Sequence, residues 1–205
     1  MPSDVLLQAS RRVDWRFLLP DPNLGRVGCV EPVSGSLVDS LRLFSASLRM
    51  IGDSESQDGQ GGQFDVVVAS DPSRARLQRA VGLVMSDGYL YIEVHGLSLF
   101  GRSGRGSRRD SPANNTRLRL PGYCAAHIEK LGFAEVTAHW HWPDFESCTK
   151  IVPLDNRAAL GYTFSMSGRG TKARLRANLG RWLMRSGLLT WSVPCFSIVA
   201  RRVCA

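Results

Sequence analysis

The stretch Phe64-Asp65-Val66-Val67-Val68-Ala69-Ser70-Asp71 restricts the fold more than any other in this chain. Its centre is unbroken apolar sequence, bounded by polar residues. A strand with one wet face alternates apolar and polar side chains. A strand apolar at both parities must be buried on both faces, as inside a parallel sheet sandwiched by helices. Pro72 then suits the first turn of a helix. That helix is predicted to run to about Met85, with Leu77, Ala80, Val81 and Val84 on one side, until Ser86-Asp87-Gly88 stops it. YLYIEVHG, residues 89–96, reads as the next strand.

Similar units flank this one. GRVGCVE, residues 25–31, reads as a strand. A small-residue turn follows, Glu31-Pro32-Val33-Ser34-Gly35-Ser36, and then an amphipathic helix through Leu37, Leu41 and Phe44. A short strand over about 46–51 ends at Gly52-Asp53, before the polar loop SESQDGQGGQ. Residues 97–120 are loop-like and carry the basic tract RSGRGSRR, 102–109. A helix over 123–131 is closed by Gly132, a good C-cap residue, and the strand FAEVTAHWHW follows. A helix over about 171–186 and a closing strand, CFSIVARRV, complete the chain. Alternating strands and helices predict one α/β domain over residues 1–205, with a mostly parallel sheet and helices on both faces.

Charge divides the chain. Residues 1–99 hold nine Arg and twelve acids, a net −3, whereas residues 100–205 hold fourteen Arg and three Lys against six acids, a net +11. A basic half of this size favours an anionic partner: an acidic peptide or protein, with nucleic acid or an anionic membrane surface as weaker candidates. No apolar run approaches the roughly 18 to 20 residues needed to span a bilayer. The first residues lack the basic-then-apolar order of a signal peptide, so a cytoplasmic protein is expected. Five widely spaced cysteines without a CxxC pair suggest buried free thiols rather than zinc ligands or disulfides.

FDVVVASDP, VGLVMSDGYLYIE and IEKLGFAEV, in that order and spacing, resemble class I S-adenosylmethionine-dependent methyltransferases over about residues 24–142. The resemblance implies a Rossmann-like sheet with S-adenosylmethionine as the possible cofactor, held near Glu31, Ser34, Gly35, Ser36, Asp53 and Ser70. It also places Ser70-Asp71-Pro72-Ser73 where the family's N-methyltransferases carry Asp/Asn-Pro-Pro-aromatic. In that reading Asp71 orients or deprotonates an acceptor; otherwise it caps the following helix. The chain departs from the family in two ways. The three glycine positions of the first motif fall on Val33, Gly35 and Leu37, so one of three is glycine, and Pro32 removes a backbone donor. Eleven residues, Asp53 to Gln63, replace the helix-strand-helix unit that builds the adenine pocket. Asp53 lies 22 residues after Glu31, about where such folds hold the ribose hydroxyls, or it is a turn residue beside Gly52.

Period-two alternation puts Glu93 and His95 on one strand face with Tyr89 and Tyr91. His95, at the strand's end, is the candidate general base. His139 and His141 share a face of AHWHW, but no third ligand at metal spacing accompanies them, and no metal is assigned. KARLRANLGRWLMRSGL reads as a basic amphipathic helix suited to an acidic partner, a membrane interface or the domain's own core. Two functions follow: a catalytically degenerate, methyltransferase-like accessory protein, or an active methyltransferase on a small molecule or peptide. A phosphate- or nucleic-acid-binding protein of the same fold is the third.

Overall fold

The computed structural model describes residues 3–53, 62–96, 117–165, 178, 182 and 193–203. Among these, seven strands form one sheet: β1 Arg26–Val30, β2 Ser47–Ile51, β3 Phe64–Ser70, β4 Val84–His95, β5 Phe133–Trp142, β6 Lys150–Pro153 and β7 Cys195–Arg202. Their order across the sheet is β2-β1-β3-β4-β7-β5-β6. β2, β1, β3 and β4 pair in parallel, β7 runs against both β4 and β5, and β6 runs against β5. β5 therefore points the same way as the first four, and five of seven strands share one direction. This is the Rossmann-like α/β sheet that the sequence predicts. The order reverses between β1 and β3, the kind of switch point beyond which such sheets open a crevice at the strands' carboxyl ends. Among the described residues no strand lies outside β2, so the sheet is shortened where the eleven-residue link requires.

The apolar run of β3 serves two cores at once. Val66 and Val68 join one with Leu37 and Leu41 of α2 (Gly35–Phe44) and with Val13, Trp15 and Leu24 from the N-terminal segment. Val67 and Ala69 join the other with Leu77 and Ala80 of α3 (Arg74–Leu83), Ile128 of α4 (Pro121–Lys130) and Leu160 of α5 (Arg157–Ser165). Gly28 in β1 is needed because a Cβ there would lie 2.7 Å from the Phe64 ring. Cys29, Cys124 and Cys195 are buried free thiols, as expected, whereas Cys148 is free but only half-buried, and Cys204 lies outside the described residues.

Several elements differ from the sequence reading. α3 starts at Arg74 rather than Pro72, because Ser73 is its N-cap and accepts the Arg76 amide at 3.3 Å. It ends at Leu83, and β4 begins at Val84, ahead of Ser86-Asp87-Gly88. The β3–β4 register shifts there and Asp87 has φ 64°, so the tripeptide bulges a long strand instead of stopping a helix. α4 begins at Pro121 and is closed by Gly132 at φ 89°. Helix α1 (Ser3–Arg12), a 3₁₀ turn over Asp14–Leu18, β6 and α5 were not expected. In the turn, Trp15 stacks on Tyr91 of β4 with centroids 3.7 Å apart. The basic tract 102–109 and most of the helix expected over 171–186 lie outside the described residues.

Candidate functional site

β3 and β4 end side by side, with Ser70 paired to Glu93. Asp71 follows at φ 42°, in the left-handed region, a conformation unusual for a side-chain-bearing residue, though Asp tolerates it better than most. Its amide donates to the Glu93 carbonyl at 2.8 Å. Its carboxylate accepts the His95 amide at 2.8 Å and meets His95 Nδ1 at 2.7 Å. A carboxylate acceptor requires the proton on Nδ1, which leaves Nε2 as the basic nitrogen. The Asp71 hydrogen bond raises the His95 pKa, against the opposing effect of burial. Asp71 is therefore not the helix cap, which is Ser73; it orients His95.

Glu93 turns inward beside this pair. Arg12, the last residue of α1, grips it with Nη1 at 2.5 Å and Nη2 at 2.7 Å, and the Tyr91 hydroxyl donates to it at 3.2 Å. Side-chain exposures of 6% for Arg12 and 1% for Glu93 make this a buried ion pair. Burial disfavours the charged guanidinium, but the Glu93 hydrogen bonds and charge outweigh it and raise the Arg12 pKa. Burial, then the Glu93 charge, hold the Tyr91 phenol well above its ordinary value. Sequence reasoning missed Arg12. The signal was its place directly before Val13-Asp14-Trp15, where two large apolar residues anchor the segment to the core.

The turn between β5 and β6, residues 143–149, crosses the same crevice. Asp144 shapes it by accepting the Ser147 amide and hydroxyl, both at 2.7 Å, and the Thr149 amide closes it on the Trp142 carbonyl at 2.8 Å. Phe145 is buried, its ring centre 4.8 Å from that of His141 and 5.4 Å from that of His95. The Glu146 carboxylate accepts the Ser36 hydroxyl, which lies 2.8 Å from either oxygen, and the Ser34 hydroxyl at 3.4 Å. It also lies 3.4 Å from Arg12 Nε. Ser34 is the N-cap of α2 and accepts the Leu37 amide at 3.4 Å.

Asp53 pairs with Arg76 of α3, at 3.0 Å to Nε and 2.5 Å to Nη2, and this hydrogen bond lowers its pKa. Arg79 donates to the carbonyls of Gly52 and Asp53. Asp53 thus ties the end of β2 to α3. Glu31 and Gly35 line a separate open cleft of about 420 Å³ with Pro32, Val33, Val38 and Met50. Ser70 is half-buried at the end of β3. Behind Asp71, the space bounded by Leu77, Val94 and Cys124 is about 20 Å³, room for about one water. The hydroxyls and the acid that the resemblance assigns to S-adenosylmethionine are held by Glu146 and Arg76. Glu31 and Gly35, by contrast, face the open cleft.

His139 and His141 belong to the core. His141 Nε2 meets the Ser197 hydroxyl at 2.8 Å, and burial lowers its pKa to about 3. Burial lowers the His139 pKa as well. Among the described residues no group of three or more ligating side chains could hold a metal, and no helix is long and apolar enough to cross a membrane.

No family model and no curated protein sequence matches this chain. Solved structures similar to it include an S-adenosylmethionine-dependent methyltransferase of Thermotoga maritima described as a possible histamine N-methyltransferase. It shows 14% identity and a TM-score of 0.48, with 96% of this chain and 88% of that chain covered. Another methyltransferase of this kind, from Archaeoglobus fulgidus, shows 12% identity and a TM-score of 0.49, covering 95% and 94%. Phosphoethanolamine N-methyltransferase 2 of Haemonchus contortus, in complex with phosphomonomethylethanolamine and S-adenosylhomocysteine, shows 12% identity and a TM-score of 0.49, covering 94% and 52%. At these levels the fold assignment rests on the strand order and directions of the chain itself.

Proposed function

We propose that this chain is a methyltransferase-like protein that does not transfer methyl groups and acts in the cytoplasm as an accessory, partner-binding subunit. One observation carries this reading: three of the six groups that would hold the cofactor are engaged from within the chain, Ser34 and Ser36 by Glu146 and Asp53 by Arg76. The missing helix-strand-helix unit points the same way. The net +11 of residues 100–205 favours an acidic protein or peptide as partner, ahead of nucleic acid or an anionic membrane.

The Asp71–His95 pair favours a second reading, an active S-adenosylmethionine-dependent methyltransferase. A histidine oriented through Nδ1 by a carboxylate, at the carboxyl ends of two parallel strands, is suited to take a proton from an oxygen or nitrogen acceptor. Calorimetric titration with S-adenosylmethionine and S-adenosylhomocysteine separates the two. Silence from folded protein supports the accessory reading, and micromolar binding overturns it. Co-purification from the native source then identifies the partner.

A further inference from the structure

We infer that Glu146 is a built-in competitor for the anionic group of a ligand, carried onto the N-terminus of α2 by the strap 143–149. The donors around its carboxylate are the Ser36 and Ser34 hydroxyls and the edge of the Arg12 guanidinium. Arg12 Nε is fully buried, has no hydrogen-bond partner, and lies 3.4 Å from the nearer Glu146 oxygen. Hydroxyls, a helix N-terminus and a guanidinium edge form a donor set for carboxylate or phosphate.

Arg12 is the buried member of this cluster; Ser34, Ser36 and Glu146 are all exposed. Arg12 is fixed by its two bonds to buried Glu93, and Ser34 by its cap on α2, whereas the Glu146 side chain is 58% exposed. The next residue back, Phe145, packs edge-on to His95. A strap that releases Glu146 therefore also draws Phe145 away from the ring oriented by Asp71, which is itself 60% exposed. The inference goes beyond both readings above, because it concerns the chain with the strap withdrawn.

The test compares wild type with Glu146→Ala and Glu146→Gln by calorimetry at low salt, using two probes. S-adenosylhomocysteine brings a carboxylate on an amino-acid end, and inorganic phosphate brings a free anion. Removing an internal competitor raises apparent affinity by the factor by which it had reduced the open fraction. Glu146→Ala is expected to bind at least one probe about tenfold more tightly than wild type. Glu146→Gln, which keeps the shape and loses the charge, gives a smaller gain, and adding Ser36→Ala abolishes it. A gain for phosphate alone supports the competitor and leaves the accessory reading standing. A gain for S-adenosylhomocysteine supports the competitor and overturns the accessory reading. No gain for either probe, in variants that melt like wild type, overturns the competitor and leaves the accessory reading intact. Should Glu146→Ala melt early, Glu146→Gln decides by the same criteria.

Discussion

Asp71 and His95 leave adjacent parallel strands, and one carboxylate fixes the other residue twice, at its amide and at its ring nitrogen. Such double anchoring sets both where the strand ends and which imidazole tautomer is present. It fixes the orientation of the His95 ring at the edge of the crevice.

Replacing Asp71 with Asn removes the hydrogen-bonded charge that raises the His95 pKa. An NMR titration of the ring is expected to return it toward the ordinary 6.5. A raised folded-state value means that the pair's stabilisation is fully present below about 6.5 and is lost as pH rises through the folded pKa. The pair is exposed, at 60% and 40%, so solvent screening keeps the stability change small. A ring titration unmoved by Asp71→Asn would show that the two side chains do not interact in solution.

The Arg12–Glu93 pair behaves differently because it is buried. Arg12→Met leaves an unpaired carboxylate in the core and is expected to cost about 3–5 kcal/mol in urea unfolding. The double variant Arg12→Met/Glu93→Leu, which removes both charges, is expected to recover most of that loss. Additive losses in the double variant would show that the two side chains are not coupled.

Acid should weaken the fold through His141. Its folded pKa is about 3 against an ordinary 6.5. As pH falls from about 6.5 toward 3, the unfolded chain takes up a proton that the folded chain refuses. Stability is therefore lost over that window, by up to about 1.4 kcal/mol per pH unit. Melting curves at pH 7, 5.5 and 4 are expected to show a shallower decline in His141→Gln than in wild type. Equal slopes would place the acid sensitivity elsewhere, His139 being the next candidate because burial lowers its pKa too.

Gly28→Ala tests the packing of β1 on β3. The new methyl would lie 2.7 Å from the Phe64 ring, and overpacking of this kind costs about 1–3 kcal/mol. Phe64→Leu in the Gly28→Ala background is expected to restore part of the loss. A neutral Gly28→Ala in urea unfolding would show that the ring shifts without cost.

Local sequence determined what depends on a residue and its near neighbours. The two-faced apolar run of β3, the turn at Gly132 and the shortened link after Gly52 were legible because each follows from side-chain parity, backbone freedom or chain length. His95 and Asp71 were both singled out, but as separate candidates, and capping chemistry at Pro72-Ser73 made Asp71 look like the helix start. Only the folded sheet decided otherwise, since parallel pairing of β3 with β4 sets the two strand ends side by side across 24 residues. The filling of the crevice was less visible still. Arg12, Glu93, Ser36 and Glu146 come from four distant parts of the chain, and no periodicity links them. Electrostatic pairing across a sheet's carboxyl edge is a property of the closed structure, where low dielectric and fixed geometry select partners that sequence spacing does not record.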